Sequence, residues 1–205
     1  MKKHWMIGVM ALLVAGIACA QQQPPADAKE QLAVGSKAPD FTLVNTVDGK
    51  EVTFKAADHN LKVVIFTCNG CPYAKAFEPR IVEIAERFGP KGVRFYAVNP
   101  NDDAKYSVET AENMKARAEE KKYPFPYLKD GDSKIAKAYG ARVTPHVFVV
   151  DGTGAVIYRG YVDDSAKPAE RQTTGLTDAL NATMNGRNVP NPDTKAFGCT
   201  IKWKT

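Results

Sequence analysis

The segment Val63-Val64-Ile65-Phe66-Thr67-Cys68-Asn69-Gly70-Cys71-Pro72 limits this chain more than any other. Leu61 to Thr67 is a nearly continuous apolar run, the pattern of a strand buried on both faces. From Pro72 onward, Ala74, Phe77, Ile81, Ile84, Ala85 and Phe88 recur at helical spacing, and Gly89-Pro90 stops the run. Two cysteines therefore stand at a strand-to-helix junction, close enough in sequence to form a small disulfide ring. A thiolate placed there feels the positive end of the helix dipole, which favours its ionised form. Pro79 lies inside the helical run and is expected to kink or divide it.

The N-terminus sets the compartment. Met1-Lys2-Lys3-His4 is basic, Trp5 to Ala18 is apolar, and Ala18-Cys19-Ala20 offers a small-x-small cleavage site. Residues 1–20 are therefore expected to be a secretory signal peptide. Cys19 offers a lipidation alternative, but Gly16 stands where lipoprotein signals usually carry an aliphatic residue. A periplasmic or secreted protein is expected, attached to a membrane only if Cys19 is lipidated. Residues 21–33 read as a flexible tether, 34–186 as one domain, and 187–205 as a tail that Ile201 and Trp203 pack onto it. The net charge of +5 is mild, and Lys and Arg are interspersed with acids, so no nucleic-acid partner is expected. No second apolar run is long enough to span a bilayer.

The remaining pattern defines an α/β fold. Phe41-Thr42-Leu43-Val44-Asn45 and Val52-Thr53-Phe54 alternate around Asp48-Gly49, a hairpin signal. Residues 93–98 form a second buried strand, followed by the turn-rich Asn99-Pro100-Asn101-Asp102-Asp103. Residues 108–122 suggest an exposed charged helix, 125–128 a short extended piece, and Asp132-Ser133 the cap of a short helix ended by Gly140. Residues 147–150 and 156–158 flank Asp151-Gly152, and 175–186 suggest a last helix. This order predicts a mixed central sheet flanked by helices, with strands 61–67 and 93–98 parallel and the first hairpin as an extension. In open α/β sheets the site gathers at the carboxyl ends of the parallel strands. Cys68 follows one such end and the 99–103 loop the other. An antiparallel strand starting at His146 or Val147 would bring Thr144-Pro145 to the same edge.

Beyond the signal the cysteines are Cys68, Cys71 and Cys199. An odd, small number in an oxidising compartment points to one functional pair plus a third thiol. Structural zinc wants four ligands, usually from two cysteine pairs, and here one pair stands with His59 and His146. No metal site and no cofactor are expected. A purely structural Cys68–Cys71 bridge would close too short a loop to constrain the unfolded chain. Redox chemistry is the reading that remains.

Four motifs in order carry a resemblance: Val34-Gly35-Ser36-Lys37-Ala38-Pro39-Asp40-Phe41-Thr42-Leu43, Cys68-Asn69-Gly70-Cys71-Pro72, Val143-Thr144-Pro145, and Asp151-Gly152-Thr153-Gly154 leading into Val156-Ile157-Tyr158-Arg159-Gly160. Over residues 34–186 the sequence resembles the thioredoxin-fold family, specifically exported thiol-disulfide oxidoreductases and peroxiredoxin-like redoxin domains. The resemblance implies a thioredoxin-like fold. It implies that Cys68 is the nucleophile and Cys71 the resolving thiol. Thr144 would pair its backbone with substrate, and Pro145 would be cis. Implied partners are a protein or small thiol or disulfide substrate and a redox partner that recycles the disulfide.

The departures define the alternatives. Thr67 and Lys62 replace the tryptophan and the acid of cytoplasmic thioredoxins. Glu78 becomes a candidate proton acceptor for Cys71, against a plain reading as a solvated helix acid. A peroxiredoxin-like thiol peroxidase with antioxidant activity at Cys68 is the runner-up, although no proline precedes Thr67. A copper-binding assembly protein using Cys68, Cys71 and His146 is a second alternative; the plain reading of His146 is a strand-start residue. Cys199 is expected to be a buried, tail-anchoring cysteine ahead of an extra resolving thiol. The 101–103 loop is expected to serve turn and capping chemistry.

Overall fold

The structure, a computed structural model, describes residues 30–204; the signal segment, Cys19 and most of the tether lie outside the described residues. The strands are β1 (Phe41–Asn45), β2 (Glu51–Phe54), β3 (Lys62–Phe66), β4 (Arg94–Asn99), β5 (Tyr127–Lys129), β6 (Val143–Thr144), β7 (His146–Val150), β8 (Val156–Gly160) and β9 (Cys199–Thr200). The helices are α1 (Pro72–Phe88), α2 (Ala111–Glu120), α3 (Lys134–Tyr139) and α4 (Gly175–Met184). Seven strands form one sheet in the order β2-β1-β5-β4-β3-β7-β8, and β6 and β9 form a separate pair.

The apolar run of β3 explains its central place. Val63 and Ile65 point into a core shared with Phe77, Ile81 and Phe88 of α1, Met114 of α2 and Leu176 of α4. Val64 and Phe66 point into a second core with Phe41, Phe54, Tyr139, Phe148, Ile201 and Trp203. A strand sandwiched between two apolar layers cannot alternate with polar residues. Burying each such side chain contributes about 1.5–3 kcal/mol. β3 pairs parallel with β4 and antiparallel with β7, with Phe66 opposite Val98 on one side and His146 on the other. The carboxyl ends of β3 and β4 and the start of β7 therefore share one edge.

Three segments differ from the sequence expectation. Pro79 does not divide α1, which is continuous from Pro72 to Phe88. One missing backbone donor is outweighed by the burial of Phe77 and Ile81 on either side of it and by Arg80, which is held by Asp163 at 2.6 Å and the Ser165 carbonyl at 2.8 Å. The charged helix begins later than expected, because Thr110 caps α2 by accepting from the Asn113 N–H. Glu109 consequently sits in a preceding 3-10 turn and is buried.

The third difference is the 101–103 loop, which anchors the tail. The Asp102 N–H donates to the Lys202 carbonyl at 2.7 Å, the Lys202 N–H donates to Asn101 Oδ1 at 2.9 Å, and Lys204 Nζ lies 3.2 Å from Asp102. At the other end of the described chain the Leu32 N–H donates to the Tyr139 carbonyl at 3.1 Å. No helix among the described residues is long and apolar enough to cross a membrane.

Candidate active site

The site begins where β3 ends. The Thr67 N–H still donates to the Val98 carbonyl at 2.9 Å, extending the β3–β4 ladder by one residue. The chain then turns through Cys68-Asn69-Gly70, and Cys71 becomes the N-cap of α1, its Sγ accepting from the Ala74 N–H at 3.5 Å. Pro72 occupies the first helical position, where a missing N–H costs nothing. Cys68 Sγ lies 3.2 Å from Thr144 Oγ1, and Cys71 Sγ donates to the Thr144 carbonyl at 3.2 Å. The Thr144-Pro145 peptide is cis. Both sulfurs are almost completely enclosed, each cysteine being 4% exposed.

A carboxylate that the sequence pattern hid holds the loop between the cysteines. Glu109 accepts from the Asn69 N–H at 2.8 Å and the Gly70 N–H at 3.0 Å, and from the side-chain amides of Asn99 at 2.9 Å and Asn101 at 3.2 Å. Asn69 is fixed further by the Val108 carbonyl and the Tyr127 hydroxyl, at 2.9 and 3.0 Å. A Cβ on Gly70 would lie 2.9 Å from Glu109 Oε1, so glycine is what lets the carboxylate reach both backbone N–H groups. The available signal was Thr110, whose capping role leaves Glu109 outside the exposed helix.

The tail closes the other side. β9 pairs antiparallel with β6, placing Cys199 opposite Thr144 and Thr200 opposite Val143. Thr144's backbone, which the family resemblance assigns to substrate, is thus occupied by the chain's own tail. Cys199 is half-buried and packs against Cys68, Cys71 and Ala74. Cys199, expected as a buried, tail-anchoring cysteine ahead of an extra resolving thiol, is half-buried in the anchored tail and in contact with the pair. Ile201 and Trp203 bury themselves in the core as the apolar pattern required, and this carries Cys199 back to the cysteines.

The sulfurs share their protons unequally. Cys71 is brought down to about 5, chiefly by its hydrogen bond with Cys68 and further by Cys199 and the Ala74 N–H. Cys68 is pushed up by the same hydrogen bond, by burial and by the Glu109 charge. Cys199 rises to about 11, from burial first and then from Cys71. The two sulfurs titrate as a coupled pair, and the helix N-terminus favours the ionised form on the Cys71 side.

The other expected residues are placed elsewhere. Glu78 accepts from Arg117 Nε and Nη2 at 2.7 and 2.8 Å and from the Tyr123 hydroxyl, so its oxygens serve a structural ion pair. His146 is buried against Phe148, ring centres 4.6 Å apart, with Nδ1 unpartnered. Burial, then Arg159 and Arg142, lower it to about 3 and keep it neutral. Its ring faces the Phe148 core, and among the described residues no group of three His, Cys, Asp or Glu side chains could hold a metal ion. Lys62 starts β3, at the end of the strand away from Cys68, and binds Asp58 and the Asn60 carbonyl.

A dithiol stands at the helix cap, beside a cis proline on the adjoining segment; the fold is thioredoxin-like, and the enzyme is a thiol-disulfide oxidoreductase. The Redoxin family model matches residues 33–176, and the chain belongs to the redoxin family. It is 30% identical over 130 residues to a thiol-disulfide oxidoreductase ResA of Geobacillus thermodenitrificans, covering 62% of this chain and 69% of that protein. An uncharacterised conserved protein from Geobacillus kaustophilus superimposes with a TM-score of 0.80 at 40% identity, covering 85% of this chain and 94% of that one. A hypothetical protein from Sinorhizobium meliloti does so with a TM-score of 0.78 at 30% identity, covering 86% and 97%.

Proposed function

We propose that this is an exported thiol-disulfide oxidoreductase that cycles Cys68 and Cys71 between dithiol and disulfide, with Cys68 exchanging with substrate. The observation that carries this reading is the placing of two thiols at the β3–α1 junction, Cys71 as the N-cap of α1 and both sulfurs 3.2 Å from Thr144, beside the cis Thr144-Pro145 bond. In thiol-disulfide exchange the sulfur with the lower pKa leaves more readily. A substrate thiolate attacking the Cys68–Cys71 disulfide at Cys68 expels Cys71, whose thiolate the helix N-terminus stabilises. In the opposite direction Cys68 gives up its proton and attacks a substrate disulfide, releasing one substrate thiolate. Cys71 then attacks Cys68 Sγ, closing the Cys68–Cys71 bond and releasing the second. Thr144 and Pro145 wall the sulfurs, and Glu109 fixes the loop. A polypeptide pairing with Thr144 must displace β9.

Export rests on the basic-apolar-small pattern of residues 1–20, and mature protein recovered outside the cytoplasm should begin at Gln21. Insulin-disulfide reduction with dithiothreitol as electron source tests the chemistry. Wild type is expected to accelerate it and Cys68→Ser to abolish it. Activity retained in Cys68→Ser would refute the assignment. Consumption of hydrogen peroxide that leaves a sulfenic acid on Cys68, without insulin reduction, would favour the peroxidase instead.

A further inference from the structure

We infer that Cys199 is a third redox thiol, to which the disulfide of the Cys68–Cys71 pair is passed within the same chain. This rests on the proposed cycling of Cys68 and Cys71 and adds the route by which oxidising equivalents leave it. Three observations converge. β9 holds Cys199 in register opposite Thr144, the residue both other sulfurs touch. Cys199 packs against the cluster formed by Cys68, Cys71 and Ala74. Gly198 lies so close to β6 that a Cβ there would stand 2.1 Å from the Thr144 carbonyl oxygen, so the approach depends on glycine at that position.

The exchange balances within the molecule. Cys199 loses its proton and attacks Cys71 Sγ. The Cys68–Cys71 bond breaks, the Cys71–Cys199 bond forms, and the electron pair and a proton go to Cys68. No outside oxidant is consumed, because the chain remains oxidised by the same two electrons. Cys68 emerges as a neutral thiol, the form favoured by its burial and by the nearby Glu109 carboxylate. The purpose follows from exposure. Cys68 and Cys71 are enclosed, whereas Cys199 is half-buried, so the shifted disulfide offers a recycling thiol a sulfur that it can reach.

Limited oxidation of the reduced protein with one equivalent of oxidised glutathione, acid quench, alkylation and tryptic mapping tests the relay. A bond confined to Cys68–Cys71 stays inside peptide 63–75, whereas the shifted bond joins 63–75 to 196–202 with Cys68 alkylated. The joined pair is expected in wild type, and its absence overturns the relay whatever any variant does. In Cys68→Ser the same oxidant is expected to close Cys71–Cys199 without retained glutathione. A stable glutathione adduct, a disulfide-linked dimer or two unreacted thiols there would also overturn it. Adding Gly198→Val to Cys68→Ser should slow closure by about tenfold or more, since a displaced thiol loses its effective concentration. Equal closure rates would show that β9 does not position Cys199. These outcomes are independent of insulin reduction, so the relay and the proposed cycling can fail separately.

Discussion

The two flanks of the Cys68-Asn69-Gly70-Cys71 loop are built from opposite materials. On the Cys68 side a buried carboxylate, Glu109, gathers N–H donors from Asn69, Gly70, Asn99 and Asn101. On the Cys71 side stand the Ala74 N–H, which donates to the sulfur, and the tail residue Cys199, which packs against it. Negative charge therefore meets resistance at one sulfur and support at the other, although the two share a loop. A Cys-x-x-Cys spacing alone would leave the sulfurs nearly equivalent. The asymmetry begins with the hydrogen bond between the two sulfurs, and Glu109 on one side and the tail on the other reinforce it.

The comparison can be broken most severely at Glu109. Glu109→Ala strands its buried donors and should cost about 3 kcal/mol in chemical denaturation. Glu109→Gln keeps the shape and should cost less, while lowering the Cys68 thiol pKa because the charge is gone. A Glu109→Ala protein of wild-type stability would mean that water replaces the carboxylate and that this flank is not a built feature.

The tail flank should yield a smaller loss. Gly198→Val forces β9 away from the Thr144 carbonyl and should cost about 1–3 kcal/mol, the range for overpacking a filled site. Amide exchange along residues 199–203 should accelerate in the same variant. Unchanged protection would show that β6 yields to the new side chain.

The charge asymmetry is sharpened by pH. A thiol held down to about 5 is ionised above that pH and becomes protonated as pH falls through it. Thiolate ultraviolet absorbance of the reduced protein should therefore persist at neutral pH and disappear near pH 5. Cys199→Ala removes a thiol packed against Cys71 that favours its ionised form and should move the midpoint upward. An unmoved midpoint would assign the low value to Cys68 and the helix N-terminus alone.

The smallest effect is expected at His146, which belongs to neither flank. His146→Phe replaces a neutral buried ring with an unpartnered Nδ1 and should leave stability within about 1 kcal/mol and insulin reduction unchanged. A lost activity would reopen a role for this ring at the sulfurs.

How much was legible follows from where each signal lives. The uninterrupted apolar run of β3 announced a strand with two cores, and Pro72 announced the first turn of α1. Thr144-Pro145 could be placed at the cysteine edge because strand order fixes which ends are neighbours. Glu109 was not legible, since a glutamate at the start of a charged segment looks solvated until Asn99 and Asn101 fold over it. The partners of Glu78 were not legible either: a helix acid near the cysteines, read first as solvated, is buried against Arg117 and Tyr123.

By itself the sequence determined the local chemistry: two thiols at a strand-to-helix junction, a helix cap to stabilise one of them, and a tail with enough apolar weight in Ile201 and Trp203 to pack down. Local periodicity and capping are properties of neighbours along the chain, so they survive in one dimension. Only the tertiary structure decided that Glu109 binds the loop between the cysteines and that Cys199 joins the pair. Those outcomes depend on Glu109, 40 residues from the Asn69 N–H it accepts, and on β9 pairing with β6. Electrostatics falls off with distance in space, and distance along the chain carries no record of it.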